Sequence, residues 1–321
     1  MVGYGNAMHG TASGSPALPV ATAPTPANWA AIGLLGLVWG GTFMVVAVAL
    51  QGYGPLTVAC ARTTLGAVAL LAVLAVLRRP WPAWHPRLIR SIAVIGVLNT
   101  AVPFALLGWG QQFVPSAFAG ISMAALPLFV LPMAHAFGGE PMSRNRLIGV
   151  IVGFAGAVVL VGPGVLRIGS GMEPLGQIAC LGAAFSYACG SIMTRRCPPV
   201  DPILLAGLTL CVGAVILIPA MLAVEGVPAL AAPLPTAAIV FLGLLPTALA
   251  TLLRVVIIRS AGSVFMTLVN YQVPLWSVLF GALLLSEELP LRFFAALGLI
   301  LLGLAISQWA SQRRLIGRAG N

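Results

Sequence analysis

Residues 115–140 read PSAFAGISMAALPLFVLPMAHAFGGE, and a stretch built on the same plan returns 147 residues later in the chain. Pro127 then corresponds to Pro274, and Glu140 corresponds to Glu287. The same step aligns three further landmarks without a gap: Pro55 with Pro202, Gly66-Ala67-Val68 with Gly213-Ala214-Val215, and Gly156 with Gly303. Each landmark is a common residue type, but five groups on one register indicate that the chain contains two copies of one unit.

The composition indicates that this unit lies in a membrane. Of the 321 residues, 60% are hydrophobic and 7% are charged, with a mean hydropathy of +1.06, whereas water-soluble domains carry about a quarter charged residues. The 16 basic residues are all arginine and exceed the 6 acidic ones, which gives a net charge of +10. Because these arginines lie between apolar runs, they indicate membrane orientation and not a nucleic-acid partner.

Ten apolar runs of about 20 residues, each long enough to cross a hydrocarbon core of roughly 30 Å, follow an uncharged segment rich in Gly, Ala, Pro, Ser and Thr. The predicted spans are 29–50, 55–77, 90–111, 115–137, 146–166, 174–196, 202–222, 235–257, 263–285 and 290–309. The sequence therefore predicts an all-α membrane protein with ten transmembrane helices as two inverted five-helix repeats. The repeats are 29–166 and 174–309, between a disordered tail at 1–28 and a basic tail at 310–321.

The arginines predict which way the bundle faces. Most lie in the loops after the second, fourth, sixth and eighth helices or in the C-terminal tail, whereas the opposite loops hold Arg167 and Arg292. By the positive-inside rule, both termini are cytoplasmic, and the predicted location is the cell inner membrane. Five helices per copy, an odd number, make the second copy run inverted, an arrangement that places a substrate site near the midplane and exposes it alternately to each side.

Several stretches resemble the motifs of EamA-type carriers of the drug/metabolite transporter superfamily. They are VWGGTFMVVAVAL (38–50), ARTTLGAVALL (61–71), ALPLFVLPMAHAFGGEPMSRNRLIGVIVGFAGAVVL (125–160) and GAAFSYACGSIMTRR (182–196). The resemblance covers both repeats. It implies a ten-helix bundle that exports metabolites, and one branch of that family exports amino acids, including aromatic ones.

Polar and aromatic residues near mid-depth are the candidates for contact with a substrate. On the ninth helix, Asn270, Tyr271 and Pro274 share a stripe with Ser263, Thr267 and Ser277, and a polar stripe in a membrane must face protein or water. The predicted substrate-binding residues are Trp39, Thr42, Phe43, Arg62, Asn99, Met123, Tyr187, Ser191, Thr251, Asn270, Tyr271 and Pro274. For each aromatic or hydroxyl residue, packing between helices is the alternative.

Arg62 is the most deeply placed ionisable residue, about 6 Å from the centre of the second span. It could receive a substrate carboxylate, or it could bind backbone carbonyls or extend outward. Its counterpart in the second repeat is Thr209, so the repeats build no symmetric pair of charges.

All six acids fall in loops or at helix ends, and we expect Glu140 and Glu287 to help fix helix ends. A membrane-embedded glutamate that exchanges protons for cationic drugs is therefore missing, so facilitated transport is favoured over carboxylate-coupled antiport. Phosphate-bearing substrates are disfavoured because the chain has no lysine.

No constellation in the sequence supports catalysis or a cofactor. The five cysteines form no CxxC pair, the three histidines are scattered, and neither metal nor cofactor is expected. We expect no enzyme, although an intramembrane enzyme and a channel or scaffold remain alternatives. The expected partners are a small-molecule substrate, an amino acid or similar metabolite, and membrane lipid, and a monomer is the expected state.

Overall fold

The computed structural model describes residues 24–138, 142–162, 171–261 and 263–319, and its regular elements in these ranges are helices. We number ten helices in chain order. Their bounds are α1 Pro26–Ala49, α2 Pro55–Val76, α3 Pro86–Gly110, α4 Ser116–Met123 with Leu126–Gly138, α5 Arg144–Val161, α6 Glu173–Arg195, α7 Pro202–Val224, α8 Pro233–Leu242 with Gly243–Leu249 and Ala250–Ala261, α9 Ser263–Met266 with Val269–Leu284, and α10 Leu291–Ala319. Most of the predicted N-terminal tail lies outside the described residues, and α10 continues through most of the segment predicted as a basic tail.

The helices have the length and composition of membrane spans. Nine of the described helices are long and apolar enough to cross a membrane, and Val269–Leu284 of α9 is a shorter apolar helix. Proline at the first turn of α1, α2, α3, α7 and α8 starts these spans where its missing N–H has no intrahelical partner to lose. Ten helices in two sets of five confirm the predicted fold class.

Alternate crossing defines two faces of the bundle. We call the arginine-poor face the one where α2 and α4 begin and where α7 and α9 end. The arginine-rich face is the opposite one, where α1 begins and where the loop with Arg78, Arg79 and Arg87 lies.

Contacts between helices recur across the two sets at the predicted spacing of 147 residues. A Cβ atom added to Gly66 of α2 would lie 2.6 Å from Thr247 of α8, and one added to Gly213 of α7 would lie 2.5 Å from Thr100 of α3. One turn away, the equivalent close contacts join Gly243 with Leu65 and Gly96 with Val212. The inverted repeat is therefore visible in the packing and not only in the helix order.

Four helices are less regular than the continuous spans predicted from hydropathy. α3 and α8 each contain a π-helical turn, at Val97–Ala101 and Gly243–Leu249, and α4 and α9 are interrupted at 124–125 and 267–268. Proline lacks the N–H that would bond the carbonyl four residues earlier, which accounts for the irregular turns next to Pro103, Pro127 and Pro246. The interruption in α9 has no adjacent proline to explain it.

α4 and α9 converge towards the arginine-poor face. The first segment of α4, Ser116–Met123, packs against α9, whereas the second segment, Leu126–Gly138, packs against α5 and α6. The short first segment of α9 packs instead against α8 and α10. The two helices are thus in contact near the arginine-poor face and associate with different neighbours near the arginine-rich face.

Candidate substrate path between the two repeats

Arg62 is held at the interface between the two repeats without being neutralised. Its Nε donates a hydrogen bond to the Thr247 hydroxyl at 2.8 Å, and its guanidinium carbon lies 3.9 Å from the centre of the Phe104 ring. Among the residues that the structure describes, no carboxylate pairs with Arg62 and its terminal nitrogens meet no hydrogen-bond acceptor. The contacts therefore fix the guanidinium and leave donors available to a ligand.

The local sequence explains why Thr247 can hold this arginine. Pro246 has no N–H for the carbonyl of Leu242, and the Thr247 hydroxyl donates to that carbonyl instead, at 2.7 Å. With its hydrogen committed, the hydroxyl oxygen faces Arg62 as an acceptor.

The other repeat builds the same junction without a charge. Thr100, the counterpart of Thr247, donates to the carbonyl of Gly96 and lies 3.0 Å from the carbonyl oxygen of Thr209, the counterpart of Arg62. The site is consequently asymmetric, as the pairing of Arg62 with Thr209 predicts.

A small cavity opens beside Arg62. Thr42, Phe43, Phe104 and Gln111 line it together with Arg62. It holds about 10 Å³, room for about one water molecule. The Gln111 side chain is buried, and its Oε1 has no partner among the described residues.

Phe104 and Gln111 were not predicted to belong to the site. Phe104 is one of 13 phenylalanines in the chain and carries no distinguishing pattern. Gln111 ends the predicted third span, where glutamine is an ordinary residue. Only the placement of α3 against α2 reveals either one.

The predicted aromatic residues of α1 and α6 also lie at the junction. The indole N–H of Trp39 donates to the carbonyl of Pro246 at 3.1 Å, which joins α1 to the π-helical turn of α8. Phe43 is buried, and Thr42 donates to the Val38 carbonyl of its own helix at 2.9 Å. Tyr187 is half-buried and packs between two core clusters.

Asn99 and Ser191 form a second group between α3 and α6. Asn99 donates to the Thr194 hydroxyl at 3.4 Å and lies against Gly190, where a Cβ atom would collide with its amide. Ser191 donates to the carbonyl of Tyr187 at 2.8 Å within its own helix. These contacts serve packing between α3 and α6 as well as they would serve a substrate.

The predicted residues of α9 differ in how far helix packing accounts for them. Ser277 donates to the carbonyl of Gly40 at 3.0 Å and fills the space beside Gly120, so helix packing explains its place on the stripe. Pro274 is buried, and Met123 of α4 packs against the main core cluster. Asn270 and Tyr271 are half-buried, and the Asn270 side chain makes no hydrogen bond to any described residue.

A polar stripe on α8 continues from Arg62 towards the arginine-rich face. Thr247, Thr251 and Arg254 are spaced i, i+4 and i+7, so they share the side of α8 that contacts Arg62. Thr251 donates to the carbonyl of Thr247, and the Arg254 side chain is exposed. Arg254 has no ion-pair partner among the described residues.

The described residues contain no group of three His, Cys, Asp or Glu side chains that could hold a metal ion. The donors at the junction are instead a guanidinium, hydroxyls and an amide, flanked by aromatic rings. This set can bind a carboxylate and a neutral or aromatic body.

Known proteins resemble the chain over both repeats. A family model described as the EamA-like transporter family matches residues 28–162 and again residues 174–308. The uncharacterized inner membrane transporter YedA of Escherichia coli K12 is 30% identical over 274 residues, which cover 85% of this chain and 87% of that protein. A probable terminal-alkyne amino-acid exporter of Streptantibioticus cattleyicolor is 30% identical over 226 residues, 70% of this chain and 73% of that protein. One solved crystal structure has a TM-score of 0.61 at 20% identity, covering 91% of this chain and all of its own, which shows the fold alone.

Proposed function

The chain belongs to the EamA-like transporter family, and from this premise we propose that it exports amino acids, aromatic and other neutral ones among them, by alternating access. It is a multi-pass membrane transporter and not an enzyme, and its substrate is a small molecule. The proposal concerns which small molecule is carried, in which direction, and by which residues.

The observation that supports the proposal most directly is that Arg62 is a charged side chain inside the membrane with no carboxylate partner among the described residues. A charged side chain inside a membrane is costly, by about 3 kcal/mol on insertion scales, and is retained where it has a function or a partner. Arg62 has a hydroxyl and a ring as neighbours but no described carboxylate. A substrate carboxylate would supply the charge partner that the protein leaves out, through charge-assisted hydrogen bonds.

The surroundings of Arg62 favour a neutral or aromatic amino acid over a phosphorylated solute. Phe43, Phe104, Trp39 and Tyr187 lie at the junction, and aromatic rings stack favourably with one another. A phosphate group would call for several cations together, whereas Arg62 is the one basic residue lining the small cavity. The printed name of the Streptantibioticus relative, an amino-acid exporter, supports the same substrate class.

The proposed orientation favours access of substrate from the cytoplasm, as export requires. If the arginine-rich face is cytoplasmic, as the positive-inside rule predicts, both termini lie in the cytoplasm. Arg254 then stands on the cytoplasmic side of Arg62, on the same side of α8, where it can attract carboxylates towards the junction.

Counterflow in proteoliposomes tests the substrate class. Vesicles containing the full chain are loaded with an unlabelled amino acid and then supplied with a labelled trace of phenylalanine, tyrosine, tryptophan or leucine. We expect transient accumulation of the label, and no accumulation of phenylethylamine, which lacks the carboxylate.

Two results would change the proposal. Equal counterflow of phenylethylamine and phenylalanine would show that Arg62 does not select a carboxylate. Accumulation of other organic acids but of no amino acid, by protein shown to be folded, would assign the carrier to a different class of carboxylated metabolite.

A further inference from the structure

Two glutamates of the second repeat cap helices of the first repeat on the arginine-poor face. The first is Glu225, at the C-terminal end of α7. Its carboxylate accepts the backbone N–H groups of Leu56 and Thr57 at 2.7 and 2.8 Å and the Thr57 hydroxyl at 2.7 Å. The N-terminus of α2 is therefore capped by a side chain from another helix in the other repeat.

The second is Glu287, in the turn that follows α9. Its carboxylate accepts the backbone N–H groups of Ser116 and Ala117 at 2.6 and 3.1 Å, at the N-terminus of α4. Glu287 is held in place by its own N–H, which donates to the carbonyl of Gly281 at 3.0 Å. It was expected to fix a helix end, and it does so for α4.

A glycine makes room for each carboxylate. A Cβ atom on Gly54 would collide with the carboxyl group of Glu225, and one on Gly281 would collide with the carboxyl group of Glu287. Gly54 has φ −66°, which any residue can adopt, so its lack of a side chain serves the carboxylate and not the backbone. The two contacts thus share one construction: a glutamate, a helix N-terminus and a glycine.

The cap made by Glu225 has no counterpart at the corresponding position of the first repeat. The position 147 residues before Glu225 is Arg78, so the mirror image of that cap cannot form, and the counterpart of Glu287, Glu140, lies outside the described residues. One ion pair on the arginine-rich face joins Arg79 to Asp201 at 3.7 Å, with the arginine side chain 40% exposed. Hydrogen bonds to a carboxylate at a helix N-terminus are stronger than an exposed pair of this kind.

We propose that Glu225 and Glu287 are the gate residues of the arginine-poor face, and that the path opens to this face only when both release the N-termini of α2 and α4. The inference rests on the alternating access proposed above. Beneath the two contacts, α1, α4 and α9 meet at Gly40, Gly120 and Ser277, so the structure is closed on this side. Separating the repeats there necessarily breaks the five hydrogen bonds to the two carboxylates.

Thiol labelling tests the gate. The probe is a cysteine at Ala59, a buried residue that lines the small cavity on α2, in a chain whose native cysteines, all free, are replaced by alanine or serine. A membrane-impermeant maleimide is added to intact cells and, separately, to inverted vesicles. Glu225→Ala and Glu287→Ala are compared with Glu288→Ala, an exposed neighbour on the same face that caps no helix among the described residues.

We expect each gate variant to be labelled at least roughly tenfold faster from the arginine-poor face, because the loss of one charge-assisted hydrogen bond already corresponds to about that factor. Hydrogen exchange of the full chain should speed up at the amides of 56–57 in Glu225→Ala and of 116–117 in Glu287→Ala. Glu288→Ala should match the parent in both measurements. Unchanged labelling in both folded variants, or faster labelling only from the arginine-rich face, would overturn the proposal.

A second pair of variants tests the gate in case the glutamate variants fail to fold. Gly54→Ala and Gly281→Ala keep both glutamates but occupy the space of their carboxyl groups, so they should open the same face. Failure of the proposed substrate class would show as absent counterflow in the parent chain. Labelling would still decide on the gate, because it needs no substrate.

Discussion

Arg62 makes two kinds of contact, and substitutions can separate them. Arg62→Lys keeps the charge but loses the planar group that bonds Thr247 and lies over Phe104, whereas Arg62→Gln also loses the charge. We expect the half-saturation concentration in counterflow to rise about tenfold for the lysine variant and about a hundredfold for the glutamine variant, the range for losing charge-assisted hydrogen bonds. Arg90→Gln, at an exposed arginine of α3, is the control and should behave as the parent.

Thr247 and Thr100 offer a matched pair of substitutions. Thr247→Val removes the hydroxyl that bonds the Leu242 carbonyl and the Arg62 Nε, and Thr100→Val removes the hydroxyl that bonds the carbonyls of Gly96 and Thr209. Each should lower stability by about 1 kcal/mol, read from the thermal midpoint in detergent. Only Thr247→Val should also weaken substrate affinity, because only the first repeat carries the arginine. Equal loss of affinity in both variants would contradict a role for Arg62 in binding.

At the residue scale, the sequence predicts which side chains belong to the site better than it predicts what those side chains contact. Arg62 stands out because a charge in an apolar run is rare, and its pairing with Thr209 across the repeats follows from register alone. Nothing in the sequence predicts that Thr247 holds it, because that contact depends on the Thr247 hydroxyl donating its hydrogen to the Leu242 carbonyl in a π-helical turn. The sequence does not identify Gln111 as a site residue for a similar reason. What distinguishes Gln111 is that its Oε1 is buried and has no partner among the described residues.

At the element scale, the close approach of α1 and α9 depends on Gly40. A Cβ atom there would collide with Trp276 and lie 2.9 Å from the Val273 carbonyl oxygen, which cannot rotate away. Gly40→Ala should therefore force the helices apart at a cost of about 1–3 kcal/mol. Gly33→Ala, two turns earlier on the same helix, has nothing within 4 Å and should be neutral or stabilising by up to about 1 kcal/mol.

Thermal unfolding in detergent and the labelling of a cysteine at Ala59 measure the effect of Gly40→Ala. A lower midpoint with faster labelling from the arginine-poor face would place the α1–α9 contact in the closed gate. A midpoint equal to that of Gly33→Ala would mean that α1 can shift without cost.

Hydropathy predicts where helices cross but not how regular they are. The spans of α3 and α8 were predicted as continuous helices, yet both widen into π-helical turns, at Val97–Ala101 and Gly243–Leu249. The helix widens at Pro246 and breaks before Pro127, whereas Pro219 lies inside a regular helix, so a proline within a span does not by itself predict an irregular turn. In α8 the widened turn carries a hydrogen bond from the Thr247 hydroxyl to the Leu242 carbonyl.

For the molecule as a whole, most of what the sequence predicts about helix packing follows from the spacing of 147 residues between the two repeats. The step of 147 residues relates Gly66 to Gly213 and Thr100 to Thr247, and the packing joins these residues in mirror-image pairs. Which face is closed does not follow from the repeat, because two identical repeats would close either face equally well. Under the proposed gate, the difference arises where the copies diverge, at Glu225 and its counterpart Arg78, and the sequence alone does not tell which helix Glu225 caps.

A pH gradient across the membrane should leave the end point of transport unchanged. The described acids, Glu173, Asp201, Glu225, Glu287 and Glu288, lie at helix ends or in loops, so none shares the junction with Arg62. A carrier that exchanged one proton per substrate would accumulate substrate about tenfold for each pH unit. We therefore expect equal internal and external concentrations of the amino acid at equilibrium, with or without a gradient of one pH unit.

Glu225→Gln should alter how fast that equilibrium is reached and not where it lies, because a gate changes the barrier for both directions alike. An accumulation ratio that follows the gradient would contradict facilitated transport and would require a proton-binding group on the substrate path.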